Sequence, residues 1–513
     1  MISLHSLYHL RFPDGLRNIL IGALLTVILV PAFASFAVSE DNGLAEVRAT
    51  YDQLHSKLIE SQGEKPIDNV QGSIVWGSSY QLDSYVSMYQ ATGDTVYLDH
   101  FLRLADRVLA ARADKSGELD FRGRLTFGWL SGGHYTYGKP VVLKDSDGNP
   151  SVQIQTIGNS YNDKVSIEII AGATAASFTV KCIDHRNPAQ PIETLFRDLT
   201  METAEREVNP KEGEPRLIQL KRIADRPPVP VGPFIPETQL MTFHGHHTGR
   251  ILTPVARFCD LVLNSDDLEK YREKAAEYLV EIRISMAEHD QFLVEEDDWG
   301  YTIFEKGSPF WCDGVPEPHN TMACSGSTYI HLYRATGEPY FLDRATRLAR
   351  LFKRNHIPQA NGTWLFHYWW GPMETGWSEG EGMSDHLVSY GGQSVPEDIS
   401  HLQLTLMFLV DCYENGIVFG EEDLDRWAKT FNTVLYHEDD EGPYLPFRVD
   451  GSQSGKPRGS SNHVLYGFLE IGACVDSTMV DRCQSILEAN YSETASPTVL
   501  FSYAALAKAS RTP

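Results

Sequence analysis

Residues 80–112 read YQLDSYVSMYQATGDTVYLDHFLRLADRVLAAR. Leu82, Tyr85, Val86 and Tyr89 fall at i, i+3, i+4 and i+7, the spacing of one helical face. Ala91-Thr92-Gly93-Asp94 interrupts that face. Gly93 suits the left-handed residue that ends a helix, and Asp94 suits the start of the next. Leu98, Phe101, Leu102, Ala105, Val108 and Leu109 form a second stripe, so the stretch predicts a helical hairpin. The unit returns at 329–354, YIHLYRATGEPYFLDRATRLARLFKR, with Tyr333 and Gly337 standing where Tyr89 and Gly93 stood. Looser copies occupy 254–286, 401–436 and 463–489, with a closing helix near 498–509. A hairpin cannot bury its apolar stripe alone and must stack on its neighbours. A ring closes such a stack and gathers its loops at one mouth.

Between about 135 and 240 the helical period disappears. Val152, Ile154 and Thr156 alternate, as do Val165, Ile167 and Ile169, then Phe178, Val180 and Cys182. A proline-rich segment from Pro227 to Pro236 closes the stretch. The expected fold class is therefore mainly α: an (α/α) toroid of helical hairpins with a small β-rich insertion. The expected boundaries are 39–134 for the first part of the ring, 135–240 for the insertion and 241–513 for the remainder.

The Tyr-x-Ala-Thr-Gly-Asp/Glu turn between two amphipathic helices resembles the hairpins of (α/α) toroid carbohydrate-active enzymes. These include six-hairpin glycosidases, toroid polysaccharide lyases and glucuronyl C5-epimerases. The resemblance covers about two-thirds of the chain. It implies the ring and a glycan substrate, and it carries over no catalytic residue.

The chain has 513 residues, 42% of them hydrophobic, and a net charge of −25. It can bury a large core, and its acidic balance argues against a nucleic-acid partner. Arg11 and Arg17 precede the apolar run Ile19 to Val30, followed by Pro31 and Ala32-Phe33-Ala34. Residues 1–38 thus predict a signal peptide or an N-terminal anchor and an exported chain, periplasmic or extracellular. An uncleaved segment is the only membrane contact expected. The seven cysteines are too sparse for a disulfide scaffold and read mostly as small buried residues; Cys312 and Cys324 are the pair to test first. No GxGxxG, P-loop, HExxH or GxSxG is present, which argues against dinucleotide, nucleotide-triphosphate and standard serine-hydrolase chemistry.

Chemistry gathers in the loops before the helices. His244, His246 and His247 open one helix and suit a divalent metal, the one cofactor left open, or a proton transfer; they equally suit a helix start with one structural histidine. His319 and Asn320 follow the proline-rigid loop from Trp311, at a helix N-terminus that favours an anion; Asn320 also suits a plain cap. Trp364, Trp369 and Trp370, with Trp377, suit a sugar platform among glycine turns, or a core, and Trp311 is a further substrate-binding candidate. Glu397 and His401 stand at i and i+4, where a carboxylate can orient an imidazole or cap a helix. Arg250, Arg448 and Arg458 offer cations to a substrate carboxylate.

Three functions fit. The first is C5 proton abstraction on a uronic-acid polysaccharide or oligosaccharide, as a lyase or a C5-epimerase. It draws on His319, Asn320, His401, Glu397 and Tyr301 for proton transfer and carboxylate neutralisation. The second is a glycoside hydrolase with two carboxyls about 5–5.5 Å or about 6.5–9.5 Å apart, from Glu397, Asp398, Asp313 and Glu317. The third is a non-catalytic glycan-binding envelope protein.

Overall fold

The computed structural model describes residues 42–63, 67–157, 164–209, 216–236, 241–452 and 464–511. The N-terminal segment 1–38 lies outside them. Residues Asn42–Pro513 form one compact unit.

Among the described residues twelve helices of ten residues or more build it: α1 Asn42–Gln62, α2 Ser79–Thr92, α3 Val96–Ala110, α4 Gly245–Leu263, α5 Arg272–His289, α6 His319–Thr336, α7 Pro339–Asn355, α8 Ile399–Glu414, α9 Glu421–Thr430, α10 Tyr466–Val475, α11 Ser477–Tyr491 and α12 Pro497–Ala509. The even-numbered helices pack in a closed ring, α2–α4–α6–α8–α10–α12 and back to α2. The odd-numbered helices lie outside them: α3 on α2, α5 on α4, α7 on α6, α9 on α10 and α8, α11 on α10 and α12, and α1 on α12. This is the expected (α/α) toroid, with six hairpins. The expected caps are present: Gly93 and Gly337 are left-handed, at φ 73° and 72°, and their N–H groups reach the carbonyls of Tyr89 and Tyr333. One element goes beyond the repeats read in the sequence. Helix α1, whose Leu44, Val47, Tyr51, Leu54 and Leu58 are buried, is the outer partner of α12.

Connections alternate in length. An inner helix passes to the next outer one over a few residues, as at 93–95 and 337–338, whereas outer-to-inner connections include 111–244, 290–318, 356–398 and 431–465. Inner helices therefore run parallel, and the long loops converge on their N-terminal end. That end is the mouth.

The β-rich segment leaves and rejoins the ring at a two-residue ladder, Leu130 opposite Phe243 and Ser131 opposite Thr242. Beyond this neck the described residues form seven strands: β1 Val141–Lys144, β2 Pro150–Thr156, β3 Val165–Ala171, β4 Phe178–Asp184, β5 Ile192–Leu199, β6 Ile218–Arg222 and β7 Val231–Phe234. They form two antiparallel sheets, β1-β2-β6 and β5-β4-β3-β7. Val152, Ile154, Val165, Ile167, Phe178 and Val180 face one shared core, as their alternation predicts.

Inner helices approach closely where side chains vanish. A Cβ on Gly249 of α4 would lie 2.9 Å from the Ser325 backbone nitrogen of α6. Gly249→Ala is expected to destabilise the protein by about 1–3 kcal/mol, measured as a lower urea midpoint, because backbone cannot move aside as a side chain can.

Charged pairs link the inner helices at the end opposite the mouth. His331 of α6 pairs with Asp260 of α4 at 2.9 Å and with Asp411 of α8 at 3.4 Å, and Arg334 reaches Asp260 at 2.6 Å. Burial lowers the His331 pKa, but Asp411 and Asp260 outweigh it and raise it to about 9. The stabilisation is therefore complete below the ordinary histidine value and is lost as pH rises through about 9. The urea midpoint is expected to fall across that window, and the fall should be smaller in His331→Gln.

All seven cysteines are free, six of them buried, so Cys312 and Cys324 are not bridged. No helix among the described residues is long and apolar enough to cross a membrane.

Candidate active site

The neck delivers its residues to the mouth beside the start of α4. His244 holds the extended N-cap position, and His247 lies in the first turn. Asn69 Nδ2 lies 3.1 Å from His247 Nδ1, and Ser131 Oγ lies 2.5 Å from the same atom. An amide nitrogen only donates, so His247 carries its proton on Nε2. The His247 ring meets Tyr135 edge-on at 4.8 Å and His244 at 5.1 Å; His244 meets Phe310 at 4.8 Å. Burial pushes His244 down to about 3, so it is neutral. The His246 side chain lies outside the described residues. Among those residues no group of three or more His, Cys, Asp or Glu side chains is arranged to hold a metal ion.

The start of α8 carries a different arrangement. Asp398 is its N-cap: Oδ1 accepts the backbone N–H groups of Ser400 at 3.1 Å and His401 at 3.2 Å, together with the Ser400 hydroxyl at 2.5 Å. Its Oδ2 takes His401 Nδ1–H at 2.5 Å. Burial raises the Asp398 carboxyl, but the bonds from His401 and Ser400 outweigh it and hold it at about 2. The ionised cap thus fixes the His401 tautomer and leaves Nε2 as the basic nitrogen, on a side chain 37% exposed. The expected i, i+4 pair of Glu397 and His401 is replaced by Asp398 and His401 at i, i+3. The reason is that the helix begins at Ile399, and Glu397 lies in the extended approach to it.

Glu397 is fully buried, and neither carboxyl oxygen has a hydrogen-bond partner. Burial, with Asp398 beside it, pushes its pKa well above the usual carboxylate range. The neighbouring acids are thereby split, one neutral and one ionised. The Tyr368 ring lies 5.0 Å from His401, and burial together with Glu397 and Asp398 keeps its phenol protonated. Arg448 forms an antiparallel bridge opposite Asp398, its Nη1 donating to the Pro396 carbonyl at 2.6 Å. A base, a phenol and a cation therefore sit around one helix start.

Aromatic rings connect the two groups. From His244 the contacts run to Phe310, then Trp311 at 6.1 Å, Trp369 at 6.2 Å, Tyr368 at 5.0 Å and His401. Of the tryptophans expected to bind substrate only Trp311 is exposed, at 37%. Trp364, Trp369, Trp370 and Trp377 are buried, which corrects the platform reading. Trp370 donates to the Glu317 carbonyl and Trp377 to that of Leu387, so these rings fasten loops together. Trp364 lies against His356 and beneath Arg426 of α9.

Other predicted residues have different surroundings. His319 is buried with both nitrogens engaged, Nδ1 with the His367 carbonyl at 3.0 Å and Nε2 with Asn355 at 2.8 Å, and burial lowers it to about 3. It packs on Phe366 and has no nitrogen left for a substrate. Asn320 is buried beside it, with Oδ1 unbonded. Tyr301 stacks on Trp299 on a hairpin that packs against α7. Arg250 is 1% exposed and bound to Asp83 at 2.6 Å inside the ring, not at the mouth, because α4 turns it toward α2. Arg458 lies outside the described residues. Of the remaining acids, Asp313 is saturated by Gly307, Ser384, Asp385 and His386, and Glu317 accepts from Thr302 and Thr321. Tyr368 is the site residue that pattern reading passed over. It was legible only as one aromatic among several in Phe366 to Trp370.

No protein-family model matches the chain, and no curated protein sequence matches it. Similar solved structures include an inactive variant of an alpha-1,6-mannanase of Salegentibacter sp. HEL1_6 in complex with alpha-1,6-mannotriose. It shares 10% identity over 91% of this chain and 98% of that chain, with a TM-score of 0.43. A D-mannose isomerase shares 10% identity over 93% and 99%, with a TM-score of 0.41. A family 76 glycoside hydrolase from a bovine Bacteroides thetaiotaomicron strain shares 10% over 73% and 98%, with a TM-score of 0.30.

Proposed function

We propose that the protein is a carbohydrate-active enzyme that removes the C5 proton of a uronic acid residue in a glycan, as a lyase or a C5-epimerase. The observation that carries this reading is the His401–Asp398 dyad beside Arg448, whose backbone pairs with that of Asp398. His401 Nε2 takes the proton, and Asp398 stabilises the imidazolium that forms. Arg448 neutralises the substrate carboxylate, which lowers the cost of the developing negative charge. Tyr368 supplies the returning proton, to the leaving oxygen as the glycosidic bond breaks in a lyase or to the opposite face of C5 in an epimerase. Trp311 offers its face to a sugar ring. No step uses a metal.

The split pKa values of Glu397 and Asp398 favour a second reading, a glycoside hydrolase with Glu397 as general acid. A panel of acidic and neutral glycans separates the two. A lyase yields new ends with the ultraviolet absorbance of an unsaturated uronate, an epimerase exchanges solvent deuterium into C5 without cleavage, and a hydrolase yields reducing ends with neither. No change in any glycan would leave a binding protein. The proposed location is exported, periplasmic or extracellular, anchored where residues 1–38 are retained.

A further inference from the structure

A cleft of about 800 Å³ opens between the outer helices α1 and α3, above α2. His55, Gln81, Tyr85, His100, Arg103 and Arg107 line it. The floor is a built network. Gln81 Nε2 donates to the Tyr85 hydroxyl at 2.7 Å, and that hydroxyl lies 2.8 Å from His55 Nε2. His55 Nε2 is the acceptor within reach of the Tyr85 hydroxyl hydrogen, which places the His55 proton on Nδ1. Arg103 Nη2 lies 2.7 Å from His100 Nδ1. A guanidinium only donates, so His100 carries its proton on Nε2.

Both imidazoles therefore present an N–H as their remaining polar group, alongside two guanidinium side chains. Burial first, then His100 and Arg103, lowers His55 to about 4, so it remains a neutral donor. Among the described lining residues Glu60 is the one acidic side chain, and Asp52 and Asp99 act on His100 from beside the cleft. On a chain with a net charge of −25, such a wall selects an acceptor-rich anion. The His55 and His100 rings meet edge-on at 4.9 Å, and His100 stacks on Tyr85 at 5.6 Å, giving flat surfaces of the kind that pack on a pyranose. The volume is that of a small-ligand site.

We propose that this cleft binds an acidic saccharide through the carboxylate of a uronic acid residue, at a site made of residues the mouth does not use. It shares its ligand class with the function proposed above but none of its side chains, so the two ideas fail separately. The test titrates the full chain with a glucuronate trimer and with its carboxyl-reduced analogue, by calorimetry. Arg103→Ala/Arg107→Ala is expected to weaken one binding event by about tenfold or more, while Arg448→Ala leaves that event intact. In the wild type, the trimer is expected to protect His55 and His100 from diethyl pyrocarbonate, read by mass spectrometry; this reports on the cleft without any variant. Unchanged binding by the double variant, equal binding of the reduced analogue, or absence of protection would overturn the proposal. Tighter binding of glucose 6-phosphate than of the trimer at these histidines would overturn its carboxylate assignment. Turnover of the trimer bears only on the mouth.

Discussion

His401→Ala is expected to lower kcat by about 10²–10⁴-fold while leaving helix content and the urea midpoint unchanged. The side chain stands in the first turn of α8 and is more than one-third exposed, so its removal opens no cavity in the ring. A companion variant separates chemistry from folding. Asn is as good an N-cap as Asp, so Asp398→Asn keeps the start of α8. Its amide, however, donates to His401 Nδ1 and moves the imidazole proton to Nε2, the nitrogen proposed to act as base. The two variants should lose similar activity, and the double variant little more, because the pair acts as a unit. Steady-state kinetics on the glycan identified by the panel reads this directly. Full turnover by His401→Ala would end the dyad reading.

The largest effect on stability is expected at Asp83. Its two oxygens receive Arg250 at 2.6 Å and Arg257 at 2.8 Å, and all three side chains are buried between α2 and α4. Asp83→Ala leaves two cations without their shared anion in the interior. The expected loss is about 3–5 kcal/mol, the cost of stranding a buried charge. Denaturant unfolding followed by circular dichroism measures it. The half-buried pair Arg48–Asp94 is the contrast: Asp94→Asn, which keeps an oxygen for the Val96 N–H, should cost less than about 1 kcal/mol. Adding Arg250→Met and Arg257→Met to Asp83→Ala is expected to restore most of the loss, since the pair's removal also removes its desolvation cost. A small loss in Asp83→Ala alone would mean that water reaches this part of the ring.

Much of the architecture was written in local pattern. The stripes at 82–89 and 98–109 with Gly93 between them fix a hairpin because spacing and cap are properties of neighbouring residues. Helix α1 is just as periodic, but its partner is α12 at the far end of the chain, and no turn motif links them. The site was less legible for the same reason. That Asp398 and His401 share a helix start is a local fact, yet periodicity alone paired His401 with Glu397, because it did not place the helix start at Ile399. That Arg250 would face Asp83, or that His319 would find Asn355 and the His367 carbonyl, depends on packing between helices. Tryptophan clustering misled because glycines mark turns without saying which side of a ring meets solvent.

The pairing of Ser131 with Thr242 has an architectural consequence. The polypeptide departs from the circle and comes back at adjacent points, so the sandwich hangs from it like a plug-in cassette. Holding those ends together costs the host little more than a short turn would, since closure entropy grows only slowly with length. Such a lobe can be exchanged, shortened or elaborated by descent or by engineering without renegotiating any contact among the twelve rods that carry the cavity.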